Sequence, residues 1–512
     1  MKDKNEFIKT INNGYSFKGD SVQIGTAMFD GEVIPEAAIF LPLKTMNRHG
    51  LIAGATGTGK TKTLQMISEH LSEASIPVLM MDIKGDLSGI AATGTENDKV
   101  KERYQKLNLV FKPASYPVEL MTLSGKEGIH LRATVSEFGP VLLTKILNLN
   151  DTQGGVVALL FKYCDDNQLP LLDLKDFIKV LQYIGNEGKS EIEKIYGKIS
   201  TTSTGTILRK VIELQQQGAD IFFGEKSFEV DDLMRISDDG RGMISILRVS
   251  DIQDKPKLFS TYMLQMLAEL YATLPEEGDL DKPKLVMFID EAHLVFQEAT
   301  DELLQQLETI IKLIRSKGIG IFFCTQNPMD VPASVLGQLG LKIQHALRAF
   351  TAADRKLIKQ TSENYPETIF YKTADIITQL GIGEALVTLL NEKGVPTPLA
   401  HTMFCSPRSR MDILDPGEIS AINSKSKMVA KYNQVIDTKS AYEILNTKLE
   451  SAILNEELPK KKEKPQLSTF EKVANNTVVK GMLRTAGNGI VRSLLGALGL
   501  GGRTIRKSKT LF

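Results

Sequence analysis

The sequence predicts an α/β protein built on a mostly parallel sheet, and three observations carry that prediction. The segment Gly54-Ala55-Thr56-Gly57-Thr58-Gly59-Lys60-Thr61 fits G-x-x-x-x-G-K-[ST] at every fixed position. It lies between a short apolar run, Leu51-Ile52-Ala53, and a stretch from Thr63 to Ala74 in which Leu64, Ile67 and Leu71 recur at helical spacing. Further along, apolar runs of strand length alternate with helical patterns: residues 76–82, 243–247, 285–289 and 319–323. Such alternation places helices on both faces of a parallel sheet.

Taken in order, residues 1–40 read as a small β-rich module, with Val22-Gln23-Ile24-Gly25 and Val33-Ile34 on either side of the turn signal Asp30-Gly31. Residues 41–136 form the first part of the core. There the buried-strand run 76–82 ends in Asp82, ahead of the turn-like Lys84-Gly85-Asp86. Between 137 and 240 the pattern becomes helical: Val156, Leu159, Leu160 and Tyr163 share one face, and Leu174, Phe177, Leu181 and Ile184 another. This reads as a helical insertion. The core resumes over 241–410, with further strand candidates at 341–347 and 384–390. Residues 411–512 are helical and polar. They contain a charged linker, Pro459 to Pro465, and a basic tail with Lys480, Arg484, Arg492, Arg503, Arg506, Lys507 and Lys509.

At 512 residues the chain is too long for one simple core. Its formal net charge is zero, so no global field draws it to nucleic acid or anionic lipid. Basic residues would have to gather locally, for example along a channel made by several subunits. Cys164, Cys324 and Cys405 stand apart, without metal-ligand spacing, which suits a reducing compartment. The opening Met1-Lys2-Asp3-Lys4-Asn5-Glu6 is charged rather than signal-like, and no apolar run reaches the ~18 residues of a membrane span. The expected location is the cytoplasm.

The glycine-rich loop is a phosphate cradle. Its glycines let successive N–H groups turn toward phosphate oxygens, and the helix N-terminus behind it adds a favourable dipole. The expected nucleotide contacts are Gly54, Ala55, Thr56, Gly57, Thr58, Gly59, Lys60, Thr61 and Lys62. Lys60 reaches the β- and γ-phosphates, and the Thr61 hydroxyl holds Mg²⁺. ATP and Mg²⁺ are thus the expected ligands.

The run Leu285–Ile289 leads straight into Asp290-Glu291, two carboxylates at the end of a buried strand, where α/β sheets place ligands. Adjacent side chains diverge, so Asp290 can serve the metal while Glu291 polarises the attacking water. Asp290-Glu291-Ala292-His293 also spells the helicase box of another P-loop group, but the arginine-rich Q-x-x-G-R-x-G-R block of that group does not follow. His293 reads as a helix-start or sensor residue. The next strand ends at Cys324-Thr325-Gln326-Asn327-Pro328, where Gln326 can hydrogen-bond the attacking water or the γ-phosphate. Arg315 precedes that strand and is a candidate finger onto a neighbour's γ-phosphate, with Arg348 and Arg355 as alternatives.

Together these blocks resemble the bacterial HerA-like helicase family of the HerA/FtsK superfamily. They run from His49 to Thr61, Asp82 to Asp86, Ile289 to His293 and Cys324 to Pro328, with Gln216 to Glu225 and Gln344 to Phe350 also similar. The resemblance covers nearly the whole chain. It implies a RecA-like core in a homo-oligomeric, hexameric ring that moves duplex DNA by ATP hydrolysis, with room for a nuclease or another protein as partner. In that analogy Gln326 is the polar sensor and Arg315 the finger before it. An ATPase that assembles or remodels a protein partner without nucleic acid is the other reading, favoured by the neutral chain and the helical insertion.

Overall fold

A computed structural model describes residues 3–250, 255–278, 280–296, 301–434, 436 and 438–457, with backbone only for 256–257, 301–303 and 453–457. The linker at 459–465 and the basic tail lie outside the described residues. The chain divides into two units, one of Met1–His130 with Glu229–Asn433 and one of Leu131–Phe228 with Gln434–Phe512.

The first unit holds the sheet. Among the described residues its strands are β1 (Ser21–Phe29), β2 (Glu32–Pro42), β3 (Gly50–Ala53), β4 (Val78–Asp82), β5 (Val118–Thr122), β6 (Ile129–His130), β7 (Ile244–Arg248), β8 (Leu285–Ile289), β9 (Ile319–Thr325), β10 (Leu341–Gln344), β11 (Glu384–Thr388) and β12 (Ala400–Phe404). They form one sheet in the order β2-β1-β12-β11-β10-β3-β9-β8-β4-β7-β5-β6. From β10 to β6 every neighbouring pair is parallel. From β10 back to β2 every pair is antiparallel.

The central strands β3, β4, β8 and β9 are buried at every residue, as expected of parallel strands covered on both faces. Their apolar runs made them readable. β5 escaped the sequence reading because Glu119 interrupts it. That buried carboxylate accepts from Arg235 Nη2 at 2.6 Å and from the Ser426 hydroxyl at 2.6 Å, so its charge is matched inside the sheet.

The N-terminal segment departs from expectation. Residues 1–40 are not a module of their own: they open on a helix, Lys4–Gly14, and β1 and β2 are the antiparallel end of the common sheet. Phe7, Ile11 and Tyr15 lie one above another on the buried face of that helix and its cap. The Phe7 ring meets Phe29 at 4.9 Å and Phe370 at 5.2 Å. The Tyr15 hydroxyl is held 2.9 Å from Val387 O and 2.8 Å from Pro398 O, which ties the helix to β11 and the segment behind it.

The second unit is helical, with Val135–Ile146, Asp151–Asp166, Leu174–Gly185, Lys189–Tyr196, Thr201–Gln216 and Ala441–Glu457. Three of these start in capping boxes, at Thr134/Glu137, Asn150/Gln153 and Asp173/Asp176. In Asp151–Asp166 the buried residues are Val156, Val157, Leu160, Phe161, Tyr163 and Cys164, so Val156, Leu160 and Tyr163 of the predicted face are buried while Leu159 is half-buried. The last helix docks through Tyr442 N–H to Asp176 Oδ1 at 2.9 Å.

Candidate nucleotide site

Because β3 runs between β10 and β9, the loop that follows it emerges at the carboxyl edge of the parallel strands. Gly54, Gly57 and Gly59 have φ of 152°, 77° and 113°, backbone that L side chains resist. Gly54 is constrained twice, since an added Cβ would lie 2.5 Å from the His345 Cβ. The loop is pinned from both sides. Gly54 N–H donates to Thr325 O of β9 at 3.2 Å, Ala55 N–H to Ala346 O beyond β10 at 2.8 Å, and the Thr58 hydroxyl to Ala55 O at 2.7 Å.

Lys60 opens the helix Lys60–Glu73, and its ammonium is buried at the centre of the loop, 2.6 Å from Gly54 O and 3.1 Å from Ala55 O. Burial lowers its pKa, and the nearby Glu291 and Asp290 charges oppose that shift. Thr61 is half-buried in the first turn. The Lys62 ammonium turns to Met411 O at 2.6 Å and Gln65 Oε1 at 3.2 Å, away from the loop, so any contact of Lys62 with phosphate falls to its backbone.

β8 delivers Asp290 and Glu291 two strands away from the loop. Asp290 is buried, and its Oδ2 has no hydrogen-bond partner among the described residues. Burial and the neighbouring Glu291 charge push its pKa up to about 7. An orphaned, buried carboxylate oxygen is a cation-seeking group, and its place beside a phosphate cradle fits a divalent metal carried in with a nucleotide.

Glu291 adopts φ of 46°, outside the usual range for its side-chain class, and is also buried. Gln326 Nε2 approaches its two oxygens at 3.4 and 3.5 Å, and His293 Nδ1 lies 3.3 Å from Oε2. Lys84 forms an ion pair with Oε1. Burial raises the Glu291 pKa, but Lys84, His293 and Gln326 together outweigh it, and the carboxyl stays below its ordinary value. Gln326 also accepts the Thr56 hydroxyl at 3.2 Å, so it links the carboxylate to the phosphate loop directly.

Lys84 was not singled out from the sequence as a site residue. It is displayed by a tight turn after β4, where the buried Asp82 carboxylate accepts the N–H groups of Gly85, Asp86 and Leu87 at 2.7, 3.2 and 3.1 Å. His345 was missed as well. Its Nδ1 lies 2.8 Å from Glu384 O, a carbonyl that can only accept, so Nδ1 carries the proton and Nε2 accepts the Thr63 hydroxyl at 3.0 Å. Burial lowers the His345 pKa to about 4 and keeps the ring neutral, a rigid strut between the phosphate-loop helix and β11.

The arginines are distributed over both edges of the sheet. Arg315 lies four residues before β9 begins, and Gln326 follows directly where β9 ends. Seven strand residues span about 23 Å, so Arg315 cannot reach the phosphate loop of its own chain. Arg348 is exposed near that loop, with Nη1 3.2 Å from Thr378 O, and Arg355 is exposed on the helix Ala352–Ser362.

Comparison with known proteins gives this geometry a lineage. The chain is 23% identical over 351 residues to the DNA double-strand break repair helicase HerA of Sulfolobus acidocaldarius, covering 67% of this chain and 63% of that protein. Over 387 residues it is 22% identical to the protein of the same description from Sulfurisphaera tokodaii, covering 75% and 68%. The chain therefore spans about two thirds of the length of these relatives. Among solved structures, the bacterial conjugative coupling protein TrwB overlays with a TM-score of 0.51 at 13% identity, over 80% of this chain and 95% of that one, a likeness of fold. The family described as Helicase HerA-like C-terminal matches residues 30–466, a span that holds the phosphate loop, both carboxylates and Gln326. On that match, the chain belongs to the HerA-like helicase C-terminal family of P-loop ATPases.

Proposed function

We propose that this chain hydrolyses ATP with Mg²⁺ and couples the reaction to movement along duplex DNA within a ring of like subunits. The observation that carries the reading is the contact chain Thr56–Gln326–Glu291, which joins the phosphate loop to a buried carboxylate beside a second, orphaned one. Bound Mg²⁺·ATP supplies an electrophilic γ-phosphoryl group there. Asp290 and Thr61 hold the metal. Lys60 turns from the loop carbonyls to the β- and γ-phosphates. Glu291 orients and polarises the attacking water, and Gln326 holds the same water or the γ-phosphate and registers its departure. The relatives described as DNA repair helicases support DNA as the track.

Turnover measured with and without linear duplex DNA tests the coupling. We expect DNA to raise the rate several-fold, and stimulation to fall steeply with salt as phosphate contacts are screened. Turnover indifferent to DNA at every salt concentration would remove the translocase reading and leave the protein-remodelling one.

Because the length of β9, about 23 Å, lies between Arg315 and the end of that strand beside the loop, the catalytic role proposed for Arg315 is one of service to a neighbouring subunit. Arg315→Ala and Glu291→Gln proteins are each expected to be inactive alone. Mixed, they should recover turnover, since the first supplies an intact carboxylate and the second an intact arginine. Absence of recovery in confirmed mixed oligomers would pass the finger role to Arg348 or Arg355.

A further inference from the structure

The two ends of a nucleotide bound at this loop can be told apart from strand order alone. Asp290, Glu291 and Gln326 all stand at the ends of β8 and β9, on one side of β3, and they mark the γ-phosphate end. The nucleoside end must then extend to the other side, over β10 and β11. On that side the turn Gly381-Ile382-Gly383, which leads into β11, meets the phosphate loop. Gly383 N–H donates to Thr58 O at 3.0 Å, and a Cβ added at Gly59 would lie 3.0 Å from Gly383 N. Two glycines, both at positive φ, are what allow so close an approach.

At the tip of this turn Ile382 is 72% exposed, a large apolar side chain held out beside a phosphate-binding loop. The turn that carries it is built rigidly. Arg103 Nη2 donates to Ile382 O at 2.8 Å, and Arg103 Nη1 to Gly383 O at 3.2 Å and Phe404 O at 3.1 Å. Gly381 N–H is fixed by Glu384 Oε2 at 2.9 Å, and that carboxylate is in turn 3.1 Å from His401 Nε2. A guanidinium satisfied by three carbonyls is a structural brace, and what it braces is an exposed isoleucine.

We infer that Ile382 is the apolar platform for the nucleobase of the bound nucleotide, with Arg103 as the residue that positions it. The inference rests on the phosphate loop binding a nucleoside triphosphate, and it adds the place where the base lies. A flat purine face covering one isoleucine side chain gains affinity through apolar burial without hydrogen bonds.

The test separates base from phosphate by using two probes on the full chain, Mg²⁺·ATP and Mg²⁺·tripolyphosphate, followed by calorimetry. Ile382→Ala is expected to weaken ATP about tenfold while tripolyphosphate stays within about twofold of the parent, and Ile382→Leu is expected to keep ATP affinity. Unchanged ATP affinity in Ile382→Ala would overturn the assignment. Equal loss of both probes would overturn it too, since that pattern reports a distorted loop. A parent protein that binds neither probe would instead overturn the nucleotide reading beneath it.

Discussion

Glu291→Gln is expected to bind ATP as tightly as the parent and to hydrolyse it roughly 10²–10⁴-fold more slowly, the usual weight of a positioned base in proton transfer. The amide is nearly isosteric and can still meet Gln326 and His293, so the pocket keeps its shape. What disappears is the negative charge that aligns and polarises water. Lys84 loses its ion-pair partner, but its side chain is 40% exposed and water can solvate the ammonium. Folding should therefore be little affected. Single-turnover hydrolysis beside an equilibrium binding measurement distinguishes the two steps. Normal hydrolysis in this variant would move the catalytic carboxylate elsewhere.

The geometry around Glu291 also bears on how the resting site is held. Its carboxylate is engaged by Lys84 from the turn after β4, by His293 from the next helix and by Gln326 from just beyond β9. A carboxylate so engaged is well placed but poorly basic, because each partner favours its charged form. Productive alignment of water requires that some of these contacts be exchanged for contacts to substrate.

How much of this could be read from sequence depended on how local the signal was. The form of the glycine-rich loop was legible, since the backbone shapes at Gly54, Gly57 and Gly59 demand glycine and Lys60 follows at fixed spacing, whereas the turn of the Lys62 side chain toward Met411 O was not. Asp290 and Glu291 were legible because β8 is apolar at every position and the carboxylates end it abruptly. Lys84, His345 and Gly383 were not. Each acts on the site through a partner far away in sequence: Glu291, Thr63 and Thr58. The turn at Lys84-Gly85-Asp86 was visible as a turn, but which residue faces it depends on β4 and β8 lying side by side. The N-terminal helix carries a helical spacing in Phe7, Ile11 and Tyr15, diluted by the polar residues between them. Only packing against Phe29 and Phe370 makes that weak signal decisive.

Lys60→Ala is expected to remove both binding and turnover, which sets it apart from Glu291→Gln. The ammonium is the charge at the centre of the loop, and it is already held by Gly54 O and Ala55 O. Burial lowers its pKa, so phosphate oxygens would be better partners for the charged form than the carbonyls alone. Its removal leaves two carbonyl oxygens of the loop without this donor and leaves the β- and γ-phosphates facing Asp290 and Glu291 without compensation. Loss of one donor to developing charge in a water-excluded site typically costs about 10²–10³-fold in rate, and the lost ground-state attraction adds to that. Lys60→Arg should not rescue, because a planar guanidinium is bulkier than the ammonium the loop encloses. Thermal unfolding without nucleotide should change little, whereas the stabilisation that ATP gives the parent should vanish. Retention of ATP-dependent stabilisation in Lys60→Ala would mean that triphosphate is held elsewhere on the chain.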